Sequence, residues 1–397
     1  MGEGQKMKLF RRLRQTLLEQ LELAGELTDE EILEKIDELL IGSSDIGYIP
    51  LKNKVQLRQE LFDSIRKLDV LQELIDNPEV TEIMVNGYQT IFVEMNGHIR
   101  KWPKQFTSKE KLEDVIQQIA GRCNRVVNEN KPIVDARLEN GARVNVVISP
   151  AALNGPILTI RRFPDIPITM ERLIELGSIT KEAAVFLEKL VAARYSIFIG
   201  GGTSAGKTTF LNALSNYIPK RERIITIEDN AELQIQGVPN LVRLEAKEAN
   251  MEGNREISIR ELIKTALRMR PNRIIIGEVR SEEAIDLLQA WNTGHEGSLG
   301  TAHANNSWDM ISRLETMVLT GMSLPLEAIR RQIASGIDIM VHLGQTDNGQ
   351  RRVLEIVEVT GFADGEVLLS PLFRWDYQKK ELCMVNELVN KQKLERR

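Results

Sequence analysis

Apolar residues recur along the chain in three successive rhythms. Up to about residue 75 they return every three or four positions: Leu9, Leu13, Leu17 and Leu21 form one stripe, and Ile32, Leu33, Ile36, Leu39 and Leu40 a second. That is the spacing of amphipathic helices. Thr28 and Glu31 stand in capping-box spacing ahead of the second stripe and predict its start, since hydroxyl and carboxylate each satisfy a backbone N–H of the other residue. The first stripe is narrow and runs beside Lys6, Lys8, Arg11, Arg12 and Arg14. It reads as a solvated or partly disordered arm, with a membrane surface or a partner as the alternative contact.

From Val80 the rhythm shortens. Asn86-Gly87, Asn96-Gly97 and Asn140-Gly141 each lie between β-prone runs and predict hairpins. Between the second and third of them Ser108 opens a helical pattern with Leu112, Val115, Ile116 and Ile119 on one face, so the region is an α+β domain of about 85 residues. Pro164 and Pro167 then interrupt both patterns, fixing φ and removing donors, and predict an interdomain linker. After Thr180 short apolar runs alternate with helical segments. Tyr195–Ile199, Arg223–Ile227, Leu241–Leu244, Arg273–Ile276 and Ser298–His303 read as strands of a largely parallel sheet. Ser258 and Glu261 cap a helix that Pro271 stops, and Val353–Val359 and Val367–Leu372 return to strand. The boundaries that follow are a helical extension over 1–75, an α+β domain over 76–163, a linker over 164–179 and an α/β domain over 180–397.

Length, charge and cysteine usage narrow the class. At roughly 150 residues per domain, 397 residues suit two or three domains. With 52 Lys plus Arg against 57 Asp plus Glu, the net charge of −5 lacks the basic footprint of a dedicated nucleic-acid binder. The longest apolar run, Ala183–Leu187, is far short of the ~20 residues that span a bilayer, and no secretory leader is visible, so a cytoplasmic chain is expected. Cys123 and Cys383 share no CxxC spacing and read as buried thiols.

The chemistry concentrates after the linker. Gly201-Gly202-Thr203-Ser204-Ala205-Gly206-Lys207-Thr208 matches GxxxxGK[ST] between a strand and a helix. Such a loop points backbone N–H groups at phosphate, its lysine reaches the β/γ-phosphates and its last threonine ligates Mg²⁺. Ile274-Ile275-Ile276-Gly277-Glu278 is an apolar strand ending in an acid, the layout of a Walker B element, and Glu228-Asp229 ends a second strand where ligands of α/β sheets collect. Either acid could hold Mg²⁺ or deprotonate water. His295 and His303 flank a glycine-rich stretch; Leu299 stands where HExxH needs its second histidine, which disfavours zinc and leaves a contact to a terminal phosphate. His98 and His342 read as structural.

Four motifs in order, Gly201–Thr209, Ile227–Leu233, Met269–Arg280 and Gly294–Asn305, resemble the Walker A, Asp box, Walker B and His box of the type II/type IV secretion ATPase superfamily. Asn140–Asn145 and Leu158–Phe163 resemble the N-terminal domain of its CpaF-like branch, the Flp/Tad pilus-assembly ATPases. The resemblance implies a RecA-like P-loop NTPase domain behind a smaller α+β domain and a helical extension. It also implies a homohexamer that turns ATP hydrolysis into domain motion on an inner-membrane platform protein, acting on a pilin-like substrate indirectly from the inner face of the membrane. Carried over by position, Gly201 to Thr209 bind ATP; Thr208, Glu228 and Glu278 hold Mg²⁺, partly through water; His295 and His303 form the His box; and Arg143 and Arg161 reach the terminal phosphate from the small domain. Arg243 and Arg280 lie near these motifs. Two rival readings are a DNA-translocating conjugation-type ATPase and a regulatory nucleotide-binding module without turnover. Net acidity argues against the first, and the presence of Lys207, Glu228 and Glu278 against the second.

Overall fold

The structure, a computed structural model, describes residues 3–22, 27–42, 51–95, 97–138, 141–162, 167–247, 255–346 and 349–395. The chain divides into two compact units, Met1–Asp165 and Ile166–Arg397.

The first unit opens with α1 (Glu3–Glu22), α2 (Asp29–Gly42) and α3 (Leu51–Arg66). Leu13 and Leu17 of α1 are buried with Ile32, Ile36 and Leu40 of α2 and Leu57 and Leu61 of α3. This corrects the reading of α1 as a solvated arm: a stripe too narrow to bury itself becomes a seam when two further helices close on it. The side chains of Lys6, Lys8 and Arg11 lie outside the described residues. The cap of α2 forms as its sequence predicts, with Thr28 N and Oγ1 donating to Glu31 Oε2 at 2.7 and 2.9 Å. Lys111 Nζ, donating to Ser64 O at 2.6 Å, ties α3 to the rest of the unit.

That remainder comprises α4 (Gln72–Asp76), β1 (Val80–Asn86), β2 (Ile91–Met95), β3 (His98–Lys101), α5 (Lys109–Arg122), β4 (Ile133–Arg137), β5 (Arg143–Val147) and β6 (Ile157–Arg161). The strands make an antiparallel sheet in the order β3-β2-β1-β6-β5-β4, and the pairs β1–β2, β2–β3 and β4–β5 are joined across the stretches whose sequence carries Asn-Gly. Ile83, Val85, Val144, Val146, Leu158 and Ile160 pack with Leu112, Ile116 and Ile119 of α5. Period two on the strands therefore meets period 3.6 on the helix.

The second unit contains α6 (Met170–Glu175), α7 (Lys181–Ala192), β7 (Ile197–Gly201), α8 (Lys207–Ser215), β8 (Ile224–Glu228), β9 (Leu241–Glu245), α9 (Ile259–Ala266), β10 (Arg273–Ile276), α10 (Glu283–Asn292), β11 (Leu299–His303), α11 (Ser307–Gly321), α12 (Leu326–Gly336), β12 (Ile339–Gln345), β13 (Arg351–Ala363), β14 (Glu366–Asp376), β15 (Glu381–Met384) and α13 (Gln392–Glu395). The sheet order is β15-β14-β13-β12-β7-β11-β10-β8-β9, parallel from β12 to β9 and antiparallel beyond β12. Alternate residues of one strand enter different cores. Ile197 and Ile199 pack with Leu187 of α7 and Leu211 of α8, while Phe198 packs with Leu288 of α10 and Ile333 of α12. Helices on both faces explain why these strands read as unbroken apolar runs.

Two expectations need adjusting. Of the stretch expected as linker, residues 164–166 lie outside the described residues, whereas α6 is a helix whose Met170 and Leu173 are buried with Ile179 in the second core. The cysteines are half-buried rather than buried, because Cys123 ends α5 and Cys383 sits on the edge strand β15. No helix among the described residues is long and apolar enough to cross a membrane.

Candidate active site

Because β7, β8, β10 and β11 are parallel neighbours, their carboxyl ends lie along one sheet edge, and the motifs sit there. Gly201 ends β7, Glu228 ends β8, Gly277 and Glu278 follow β10, and His303 ends β11. Between β7 and α8 the chain curls back through Ser204 at φ +57° and Gly206 at φ +90°, the left-handed region that glycine enters without penalty. Thr203 and Ser204 are exposed, Ala205 is buried, and Thr208 and Thr209 are half-buried in the first turn of α8. Gly206 supplies no side-chain cap for that helix. An oxyanion is the acceptor its first-turn N–H groups call for, so the loop fits a phosphate.

Lys207 is buried and donates to Gly201 O at 3.2 Å and Gly202 O at 3.0 Å. Its Nζ also lies 3.3 Å from His303 Nδ1. An ammonium only donates, so Nδ1 accepts and the proton of the neutral ring sits on Nε2, which faces Glu278 Oε1 at 2.8 Å. The neutral ring agrees with its environment: burial first, and the Lys207 charge second, hold His303 below the ordinary imidazole range against the pull of Glu278. Lys207, His303 and Glu278 thus stand in a row of close polar approaches from the phosphate loop to the Walker B acid, although Glu278 Oε1, like Glu228 Oε1, accepts no hydrogen bond.

Glu228 lies beside that line in a different condition. Its Oε2 accepts from the backbone N–H of Glu232 and Leu233, both at 2.8 Å, while Oε1 is buried without a hydrogen-bond partner. Burial pushes its carboxyl up to about 7, against those two backbone donors and the charge of Arg243. An orphaned acidic oxygen at this edge suits a metal-bound water or a proton taken from water. The same group makes stability depend on pH. Its folded pKa is raised, so the folded chain holds the proton more tightly than the unfolded chain, and stability falls as pH rises from 4.5 to about 7. At 1.36 kcal/mol per unit the cost approaches about 3 kcal/mol above that window. Glu228→Gln is therefore expected to melt higher than the natural chain at pH 8 and level with it at pH 4.5. Equal shifts at both values in calorimetry would refute the burial cost.

His295 does not join the cluster. It precedes β11 while His303 ends it, and a strand of five residues at ~3.3 Å each holds the two apart. His295 Nδ1 lies 3.1 Å from Ala290 O at the end of α10. The structure therefore does not bring the two histidines together. In the first unit, Arg143 and Arg161 stand directly opposite each other on β5 and β6, with Arg137 and Glu82 next in the same cross-strand row.

Several supporting residues escape a motif reading. Asn212 Oδ1 and Asn216 Oδ1, one turn apart near the C-terminal end of the phosphate-loop helix, accept from Gln234 N at 3.0 Å and Gln236 N at 3.3 Å. They stand in for a strand along the Asp-box loop, and the only sequence signal is their i, i+4 spacing. Arg280 bridges Glu278 and Asp229, with Nη2 2.6 Å from Glu278 Oε2 and Nη1 3.2 Å from Asp229 Oδ2.

The family model described as "Type II/IV secretion system protein" matches residues 65–355, a span that holds the phosphate loop, both acids and both histidines. The chain belongs to that family. A putative conjugal transfer protein of Mycobacterium tuberculosis strain H37Rv is 34% identical over 304 residues, covering 75% of this chain and 86% of the relative. The type IV secretion system protein VirB11 of Brucella suis is 32% identical over 318 residues, covering 73% and 88%. Among solved structures, the pilus retraction motor PilT with bound ADP has a TM-score of 0.52 at 20% identity, covering 83% of this chain and 86% of that one, a likeness of fold. Membership of this secretion family and the α/β fold with its P-loop agree with the motif reading.

Proposed function

We propose that this chain hydrolyses ATP with Mg²⁺ as the motor subunit of a conjugation-type secretion machine. The observation that carries the reading is the close row Lys207–His303–Glu278, with the buried acid Glu228 beside it, at the carboxyl edge of a parallel sheet. Gly201 to Thr209 would cradle the phosphates, and Thr208, Glu228 and Glu278 would hold Mg²⁺, partly through water. The ion would neutralise charge developing on the transferred phosphoryl group. His303 keeps Lys207 and Glu278 in register, and one of the two acids takes the proton of the attacking water. The names of the relatives favour conjugation-type secretion over the Flp/Tad pilus assembly expected from the motifs. That role does not require this chain to grip DNA, which matches its net charge of −5. The working unit is a homohexamer on the inner face of the membrane, seated on a platform protein.

Phosphate release by the purified chain, with Mg²⁺ and with EDTA, tests the reading. Mg²⁺-dependent release that single-stranded DNA leaves unchanged supports it; no release from an assembled ring refutes it. Arg143 and Arg161 are the proposed sensors of the terminal phosphate, a role suited to the guanidinium fork. Arg143→Ala or Arg161→Ala should weaken ATP relative to ADP by about 10- to 150-fold, the worth of one charge-assisted hydrogen bond. Equal weakening of both nucleotides in titrations with ADP and a non-hydrolysable ATP analogue would reduce the two arginines to structural charges.

A further inference from the structure

Arg280 follows the Walker B acid by two residues, and its placement is more constrained than an exposed arginine requires. The loop that carries it is pinned from two sides. Thr301 of β11 accepts from Val279 N at 2.8 Å and donates through Oγ1 to Gly277 O at 2.6 Å. On the other side, the buried Glu283 of α10 accepts from Arg280 N at 2.6 Å and Ser281 N at 3.0 Å through Oε1. With its backbone fixed, the Arg280 side chain folds back over the loop. Nε and Nη2 both donate to Glu278 Oε2, at 2.8 and 2.6 Å, and Nη1 reaches Asp229 Oδ2 at 3.2 Å.

One planar cation therefore joins the acids that follow neighbouring parallel strands, β8 and β10. Glu278 Oε2 is held by Arg280, while Oε1 lies 2.8 Å from His303 Nε2 but accepts no hydrogen bond there. A glutamate after a strand has three side-chain torsions, and the two guanidinium N–H groups of Arg280 on Oε2 are the hydrogen bonds that restrain them. We propose that Arg280 is a positioning residue of the hydrolytic reaction: it clamps Glu278 through Oε2, braces it on Asp229, and so keeps Oε1 turned toward the Lys207–His303 line. The inference rests on the ATPase reading above and adds to it a residue that acts through Glu278 and leaves nucleotide binding alone. Lysine cannot replace it, because a single nitrogen does not span two carboxylates with a fixed fork.

The Arg280 side chain is 56% exposed, which makes small-molecule rescue practicable. Arg280→Ala is expected to lower kcat by about 10- to 100-fold, the cost of a misplaced reacting group, with the KM for ATP and the affinity for ADP unchanged. Unchanged ADP affinity also certifies that the variant is folded. Added guanidinium should restore part of the lost turnover in Arg280→Ala, while Arg280→Lys stays close to the alanine variant. Asp229→Asn, which removes only the brace, should fall between wild type and Arg280→Ala. Turnover that Arg280→Ala leaves intact would overturn the role, and so would an unchanged kcat with a raised KM for ATP, which would make Arg280 a nucleotide ligand. No phosphate release from the wild-type chain would overturn the hydrolase reading and this role with it; release that ignores Arg280 overturns this role alone.

Discussion

Lys207→Ala is expected to abolish ATP turnover, by roughly a thousandfold or more, and to remove tight nucleotide binding as well. The ammonium is the cation that the phosphate loop encloses, held by Gly201 O, Gly202 O and His303 Nδ1. Without it, phosphate charge placed in the loop has no counter-charge at short range, and Nδ1 of His303 loses its donor. The second loss frees the ring to turn away from Glu278 Oε1, which it approaches at 2.8 Å. Glu278→Gln should separate the two effects. It keeps the shape of the side chain but loses the negative charge, so ATP should bind and persist. Fluorescent-nucleotide binding together with phosphate release decides the matter: wild-type hydrolysis by Glu278→Gln would end the assignment of that residue to the chemistry.

What could be read without coordinates, and what could not, follows from how local each signal is. Five of the six parallel strands and the phosphate loop are written in contiguous residues, since a strand covered on both faces, such as β7, β8 or β10, is apolar along its length and a curled loop must carry glycine. The seam of α1 depends on helices fifteen to fifty residues away, so its four-residue stripe reads as an exposed arm until α2 and α3 are in place. The region past residue 337 reads as β-rich, but the contacts that anchor the start of β12 come from far along the chain: Ser196 N donates to Asp338 at 2.6 Å and Lys393 Nζ at 2.7 Å. His295 and His303 look like a pair because eight positions are few in sequence, yet an extended strand puts them at opposite edges of the sheet. Arg280 lay close to a motif from the start. The role proposed for it rests on the backbone hydrogen bonds of Glu283 and Thr301, which no spacing rule encodes.

At the opposite edge of the same sheet, Arg273→Met is expected to destabilise the second unit by about 3 to 5 kcal/mol. Arg273 opens β10 and is fully buried. Its Nε lies 2.5 Å from Glu222 Oε2, Nη1 donates to Gly297 O at 2.6 Å, and Nη2 donates to Val191 O at 2.9 Å and to Glu222 Oε1 at 3.4 Å. One guanidinium thereby knits the end of α7, the connection into β8, the start of β10 and the turn before β11. Burial works to raise the Glu222 carboxyl, but Arg273 together with Arg194 outweighs it and holds the group below its ordinary value. Gly297 is part of the cradle. It sits at φ +79°, and a Cβ there would lie 2.0 Å from Arg273 Nη1, so the turn accepts the arginine only because it has no side chain. Removing the cation leaves a carboxylate in the interior with Arg194 alone, and that uncompensated charge is where the cost arises. Replacing both partners, as Arg273→Met with Glu222→Leu, should recover much of the loss, because the expense of burying charge disappears along with the attraction. Urea unfolding of the single and double variants measures both quantities. A single-variant loss under about 1 kcal/mol would put this pair with exposed salt bridges, whose worth is that small. Because the carboxyl edge carries Lys207, Glu228 and Glu278, the folded Arg273→Met variant should retain its turnover per mole, so stability and chemistry separate along the length of these strands.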